Sequence, residues 1–203
     1  AFRSGEDIHR STAAKIYNLP LEAVTPRIRS SAKAINFGIM YGISAFGLAQ
    51  RLGCPRKEAS RIIEEYFASF PSIRGFLDST LEAARRTGYV ETLFGRRRYV
   101  PDVNAHNANL RAMAERNAIN APIQGTAADI IKLAMIRVEN ALKENYPEAK
   151  LLLQVHDELI VECPEGQAEA VAALVSREME GVAQLKVPLT AEAHFGKSWY
   201  DAK

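Results

Sequence analysis

Cysteine is nearly absent: Cys54 and Cys163 stand far apart in 203 residues, without CxxC or Cys/His spacing. That count argues against a disulfide framework and against a structural zinc site. Long apolar runs are missing as well. Crossing a bilayer takes about 20 apolar residues, and the best stretch, Ile130 to Ile136, is interrupted by Lys132. No low-complexity tract, no internal repeat and no GxSxG elbow of the hydrolase type is present. The first residues, Ala-Phe-Arg-Ser-Gly-Glu-Asp, hold neither an initiator Met nor a signal-peptide pattern. The sequence reads as the middle of a longer chain, placed in the cytoplasm and away from membranes.

What is there is an ordinary globular composition, 47% hydrophobic and 25% charged, enough for one large domain or two small subdomains. The net charge of +2 conceals a division. Residues 1–116 carry 18 Lys/Arg against 11 Asp/Glu, and residues 117–203 carry 8 against 13. Fifteen of the 17 arginines lie in the first part. Such asymmetry suits a phosphate-rich partner meeting one side of the molecule, and equally a solvated Arg-rich face.

Local signals predict mostly helices. Asp7 to Tyr17 is helix-like and Pro20 stops it. Thr25 offers an N-cap with Pro26 at the first helical position, starting a helix to about Tyr41 and Gly42. Further helices follow from Ser44 to Leu52, from Pro55 to about Ser69, and from Pro71 to near Gly88. Tyr89–Leu93 and Arg98–Val100 flank a turn and suggest a small hairpin. Asn107 to Asn120 is helical up to a break at Pro122, and a second helix runs on to about Tyr146. The texture then changes. Leu151–Val155 and Leu159–Val161, separated by His156-Asp157-Glu158, read as a buried β-hairpin. A helix from Pro164 to about Gly181 and a last strand from Val187 to Phe195 complete an α+β, predominantly helical chain with a small antiparallel sheet.

The helix from Pro26 to Tyr41 carries the most chemistry. Ile28, Ala32, Ile35 and Ile39 form an apolar stripe facing the protein. Arg29, Lys33, Phe37 and Tyr41 recur at steps of four on an adjoining stripe, about 6 Å apart along the axis. Two cations followed by two aromatics match the needs of a nucleoside triphosphate, charge for the phosphates and flat surfaces for sugar and base. The same pattern fits an amphipathic helix with its cations in water and its aromatics in the core. Gly38 and Gly42 weaken the helix by about 1 kcal/mol each relative to Ala and leave room for a base pair to approach.

The acids at the 151–163 hairpin could hold Mg²⁺, which keeps several waters and takes one or two protein carboxylates plus substrate phosphates. They fit an ordinary tight turn equally well. Arg116, Asn120 and Gln124 form a third pattern, one polar line of side chains that donate to acceptors on base edges and sugars. Helix caps and plain surface polarity account for that line too.

Arg29-x-x-x-Lys33-x-x-x-Phe37-x-x-x-Tyr41-Gly42 resembles motif B of the family A DNA polymerases, the bacterial DNA polymerase I group. Gln154-Val155-His156-Asp157-Glu158 is similar to their motif C. The likeness continues through Tyr89 to Arg98 and Pro122 to Asp129, and covers essentially the whole chain. It implies fingers over residues 1–100 and a partial palm over 101–203, with no thumb or exonuclease domain. It further implies that Arg29, Lys33 and His9 meet the triphosphate, Phe37 the sugar and base, and Tyr41 the template side of the new pair. Arg116, Asn120 and Gln124 would touch primer and template DNA, and His156 the primer end. Asp157 would ligate the catalytic Mg²⁺, with Glu158 beside it.

The family reaction joins a dNTP to a primer 3′-hydroxyl with two metal ions, and it needs a second Asp from motif A, Asp-Tyr-Ser-Gln-Ile-Glu-Leu-Arg. That motif would end shortly before Ala1 and has no equivalent here. The expectation is a chain inactive by itself, completed by an N-terminal polymerase segment whose strand would cover an exposed edge beside the hairpin. Two alternatives stand beside this one. A single-subunit RNA polymerase shares the Arg, Lys, Tyr-Gly and His-Asp positions, though Phe37, Glu158 and Arg96–Arg98 fit the DNA enzymes better. A non-catalytic nucleic-acid-binding module would keep the basic face without the reaction.

Overall fold

The computed structural model describes residues 2–202. The chain divides into two compact units, Ala1–Thr126 and Ala127–Lys203. Among the described residues, no helix is long and apolar enough to cross a membrane.

The first unit is built from helices that begin where side chains satisfy free N–H groups. Helix α1 (Ile8–Ile16) is capped by Asp7, and α2 (Pro26–Met40) by Thr25, whose hydroxyl accepts from Ile28 N with Pro26 at the first position. Helix α3 (Ala45–Leu52) starts at Ser44 and ends at Gly53, whose φ of 67° is the left-handed cap that glycine adopts without strain. Helices α4 (Arg56–Ser69) and α5 (Pro71–Thr87) follow.

The apolar stripe of α2 lies where its spacing predicts. Ala32, Ile35 and Ile39 are buried, and Ile28 packs against the small cluster of Ala13, Val24 and Ala32. Ile35 and Ile39 join Ile16, Leu48, Ile62 and Tyr66 in the main core, which ties α1, α2, α3 and α4 together. Each fully buried Ile or Leu contributes on the order of 2 kcal/mol relative to exposure, so this cluster fixes the orientation of α2.

One expectation for α2 changes. Gly38 faces Ile43, not open space: a side chain at Gly38 would begin 3.0 Å from Ile43 Cγ2. Gly47 on α3 meets the same residue, with a Cβ there 3.1 Å from Ile43 Cγ1. The missing side chains therefore admit Ile43, whose N–H closes the end of α2 on the Gly38 carbonyl at 2.8 Å. Gly42, at φ 70°, reverses the chain, and a Cβ there would touch Arg116 Cγ at 3.4 Å.

Strands β1 (Tyr89–Glu91) and β2 (Arg97–Tyr99) form the expected hairpin. Val90, Val100 and Val103 pack with Ala84, Ala114 and Ala118 in a second cluster. Helix α6 (Ala108–Asn145) supplies the last two and runs 38 residues with Pro122 inside it. The sequence predicts a break there, and none occurs. Proline removes one i→i−4 bond, but the turns around it are held from outside. Ala118 and Ile119 are buried before it. After it, Arg96 Nη2 donates to Gly125 O at 3.0 Å, and Thr126 Oγ1 accepts from Leu93 N at 2.9 Å.

In the second unit, β3 (Lys150–Val155) and β4 (Glu158–Glu162) pair antiparallel, with a bulge between Leu151 and Leu153. Leu151, Leu159 and Val161 lean on a core of Val138, Leu142, Ala149, Val171, Leu174 and Val175, the last three from α7 (Ala168–Glu180). The hairpin is present but not buried as predicted. The bulge turns Leu152 and Leu153 outward, 50% and 53% exposed. The last predicted strand is also absent: residues 187–196 are irregular. Their backbone bonds to α7 side chains in place of a ladder, with Ser176 Oγ donating to Ala191 O and Ala191 N donating to Glu180 Oε1.

Candidate functional site

The stripe on α2 lies at the surface, aromatics included. Arg29 and Lys33 are exposed, and the aromatics are too, Phe37 at 43% and Tyr41 at 39%. An ordinary amphipathic helix would bury the rings. Here they stand outside the core as a stacked pair, centroids 6.4 Å apart and 18° from parallel. Two half-exposed rings behind two cations make a surface for a flat group attached to an anion.

Helix α1 completes this surface. His9 projects beside α2 with its ring centroid 5.7 Å from that of Phe37. Asp7 does two things at once. Its Oδ1 caps α1 by accepting from His9 N and Arg10 N, while Oδ2 accepts from Arg29 Nε at 2.5 Å. Nε is thereby occupied, which leaves the terminal nitrogens of the guanidinium fork for other acceptors. The Arg29 bond is also the main reason the Asp7 carboxyl titrates below its ordinary value. His9 is shifted down as well, first by burial and then by the charges of Arg29 and Lys33, with Asp7 opposing. A neutral imidazole between two cations can both donate and accept.

At the C-terminal end of α2 lies a cavity of about 340 Å³, lined by Phe37, Tyr41, Gly42, Ser44, Arg51 and Arg116 among others. One turn beyond Arg116 on α6, Asn120 keeps its Oδ1 buried with no hydrogen-bond partner. Buried polar atoms are seldom left unpaired, so this acceptor suits a donor from outside the chain. Gln124, another turn on, is exposed. Arg116, Asn120 and Gln124 thus share one unbroken helix, which the predicted break at Pro122 would have divided.

His156, Asp157 and Glu158 belong to the second unit. The Val155↔Glu158 pair closes β3 and β4 around a two-residue turn, and His156 stands there at φ 54°. Positive φ at a non-glycine residue costs on the order of 1–3 kcal/mol and clusters at functional sites. Gln154 Nε2 steadies the turn by donating to His156 O at 2.5 Å. His156, Asp157 and Glu158 are all exposed. Among the described residues, no three His, Cys, Asp or Glu side chains converge as a complete metal site. Two outward-facing carboxylates are a donor set that fits a hard cation sharing its remaining positions with phosphates and water.

The family model described as DNA polymerase family A matches residues 1–201. The chain belongs to that family. Among curated relatives, it is 53% identical over its whole length to DNA polymerase I of Geobacillus stearothermophilus, and 53% identical to the thermostable DNA polymerase I of Thermus aquaticus. It covers 23% and 24% of those chains, so it spans about a quarter of the relatives it matches. A solved structure, the POL domain of Pol1 from M. smegmatis in complex with DNA primer-template and dNTP, superposes with a TM-score of 0.95 at 44% identity. That match covers all of this chain and 36% of the other.

Three residues of this surface escape a sequence reading. Asp7 is visible as a helix cap but not as the partner of Arg29, 22 positions away. Asn36, which touches His9, is signalled only as a polar residue in the middle of a helix, where Asn is disfavoured. Arg51 has no local signal; it reaches the cavity because α3 packs against α2.

Proposed function

We propose that this chain is the fingers portion (residues 1–100) and part of the palm (residues 101–203) of an enzyme of template-directed DNA synthesis. It would add deoxynucleotides to a primer 3′ end, alongside intracellular DNA. The observation that carries the proposal is the exposed stripe of Arg29, Lys33, Phe37 and Tyr41 with His9 beside it. Arg29 and Lys33 hold the triphosphate and His9 donates to it. Phe37 packs against the sugar and base of the incoming nucleotide, and Tyr41 bounds the template side of the new pair. Arg116, Asn120 and Gln124 read acceptors in the minor groove, where purine N3 and pyrimidine O2 look alike for every correct pair.

In the second unit, His156 meets the primer end, and Asp157, with Glu158 beside it, would hold Mg²⁺. When bound, divalent metal activates the 3′-hydroxyl and stabilises charge on the leaving pyrophosphate. A further carboxylate comes from a preceding segment of the motif A type, so these 203 residues by themselves extend no primer.

Primer extension tests the proposal. The full-length protein carrying this sequence should extend a primed template with Mg²⁺ and four dNTPs. Asp157→Asn should lower the rate by about 10²-fold or more. Salt-sensitive duplex binding without extension, with equal affinity for matched and mismatched dNTPs, would instead make it a non-catalytic binding module.

A further inference from the structure

His9 is held from behind by a chain of hydrogen bonds. Thr12, one turn along α1, is fully buried, and its hydroxyl donates to Ile8 O at 2.7 Å. A longer contact, from Thr12 Oγ1 to Asn36 Oδ1 at 3.2 Å, competes for the same proton and loses on distance. With its proton spent, Thr12 Oγ1 is an acceptor, and Asn36 Nδ2 donates to it at 3.1 Å. The same amide nitrogen lies 3.0 Å from His9 Nδ1. An amide nitrogen has two protons and no lone pair to offer, so Nδ1 must accept.

We propose that Asn36 is a positioning residue: through Thr12 and its own amide it fixes His9 as the Nε2–H tautomer, with that proton facing the triphosphate. The proposal rests on the nucleotide site described above. It adds a reason for an Asn inside α2, one position from the buried Ile35 and one from the exposed Phe37. A third donor to the triphosphate then joins Arg29 and Lys33 without a third positive charge. Burial of the ring, together with Arg29 and Lys33 on α2, opposes its protonation, and Asp7 before α1 favours it. Protonation at Nδ1 would set two donors against each other and force the Asn36 amide to turn.

The test uses the full-length protein with ¹⁵N-labelled histidine and assigns the His9 ring by its loss in His9→Ala. In the parent protein at neutral pH, the ring should show its proton on Nε2. Asn36→Asp presents an acceptor to Nδ1, so it should move the proton there, raise the pH at which His9 titrates, and make dNTP affinity pH-dependent in that range. Asn36→Ala should release a mixture of tautomers and weaken dNTP binding about three- to tenfold. Thr12→Val, nearly isosteric, frees the Asn36 amide without altering it and should shift the ring signals in the same direction. Thermal melting separates these effects from misfolding.

An unchanged ring signature in both Asn36 variants, or unchanged dNTP affinity in Asn36→Ala, overturns the positioning role. If His9→Ala itself leaves dNTP affinity untouched, the nucleotide-site reading fails and this proposal with it. If His9→Ala weakens binding while the Asn36 variants behave as the parent, only the positioning role is lost.

Discussion

Asp7 and Arg29 are joined at 2.5 Å across 22 residues, and the carboxylate that grips the guanidinium is the same one that starts α1. The first cation of the stripe is therefore aimed by a helix cap. Asp7→Asn keeps the cap, because Asn serves there as well as Asp, but gives up the charge. The protein should melt near the parent temperature while KM for dNTP rises. Both groups are exposed, so the rise should not exceed about fivefold. Single-nucleotide extension kinetics check this, and an unchanged KM would mean Arg29 needs no guide.

Two depressed pKa values set a pH response. His9 lies below its ordinary 6.5, so as pH falls past 6.5 the unfolded chain takes up its proton before the folded one does. The stability due to His9 is complete above 6.5 and is lost as pH falls through the folded value. Asp7, held down first by its bond from Arg29, contributes above 3.8 and loses that contribution below it. Melting temperature should therefore step down in two windows on acidification. His9→Gln should remove the upper step and leave the lower one.

Gly125 is demanded by the hairpin docked on α6. A Cβ there would sit 2.6 Å from Thr92 Cγ2, inside contact distance. Gly125→Ala should destabilise by about 1–3 kcal/mol. Thr92 Oγ1 accepts from Phe94 N and Arg96 N, and serine keeps that oxygen while deleting the offending methyl. The double variant Gly125→Ala, Thr92→Ser should recover most of the loss in denaturant melts. Additive losses would place the defect elsewhere.

Neighbouring positions on α2 should respond in opposite ways. Ile35 is fully buried, and Ile35→Ala should cost about 2–5 kcal/mol of stability. Phe37 is 43% exposed, and Phe37→Ala should change stability much less while weakening dNTP binding. Chemical denaturation and nucleotide titration on the two variants separate packing from recognition.

The elements read correctly from sequence are those whose causes are local. Thr25-Pro26, Ser44 with Gly53, and Pro71 each carry a complete start or stop within a turn of chain, and the stripe of α2 needs only its period. The failures share a non-local cause. Pro122 is accommodated by groups from the β1–β2 hairpin, about 30 residues earlier. Residues 187–195 have strand-like composition, but what they bond to is Ser176 and Glu180 of α7. Site residues divide the same way. Arg29, Lys33, Phe37 and Tyr41 announce themselves by spacing, whereas Asp7 and Asn36 reach the site through contacts more than 20 positions away.

Ile43 fills the space left by two glycines on two different helices, Gly38 and Gly47. The three positions therefore share one inheritance. A larger residue at 38 or 47 requires the side chain at 43 to give way, and once 43 has shrunk either glycine is free to drift. Change at this corner of the molecule has a preferred order, with residue 43 moving first.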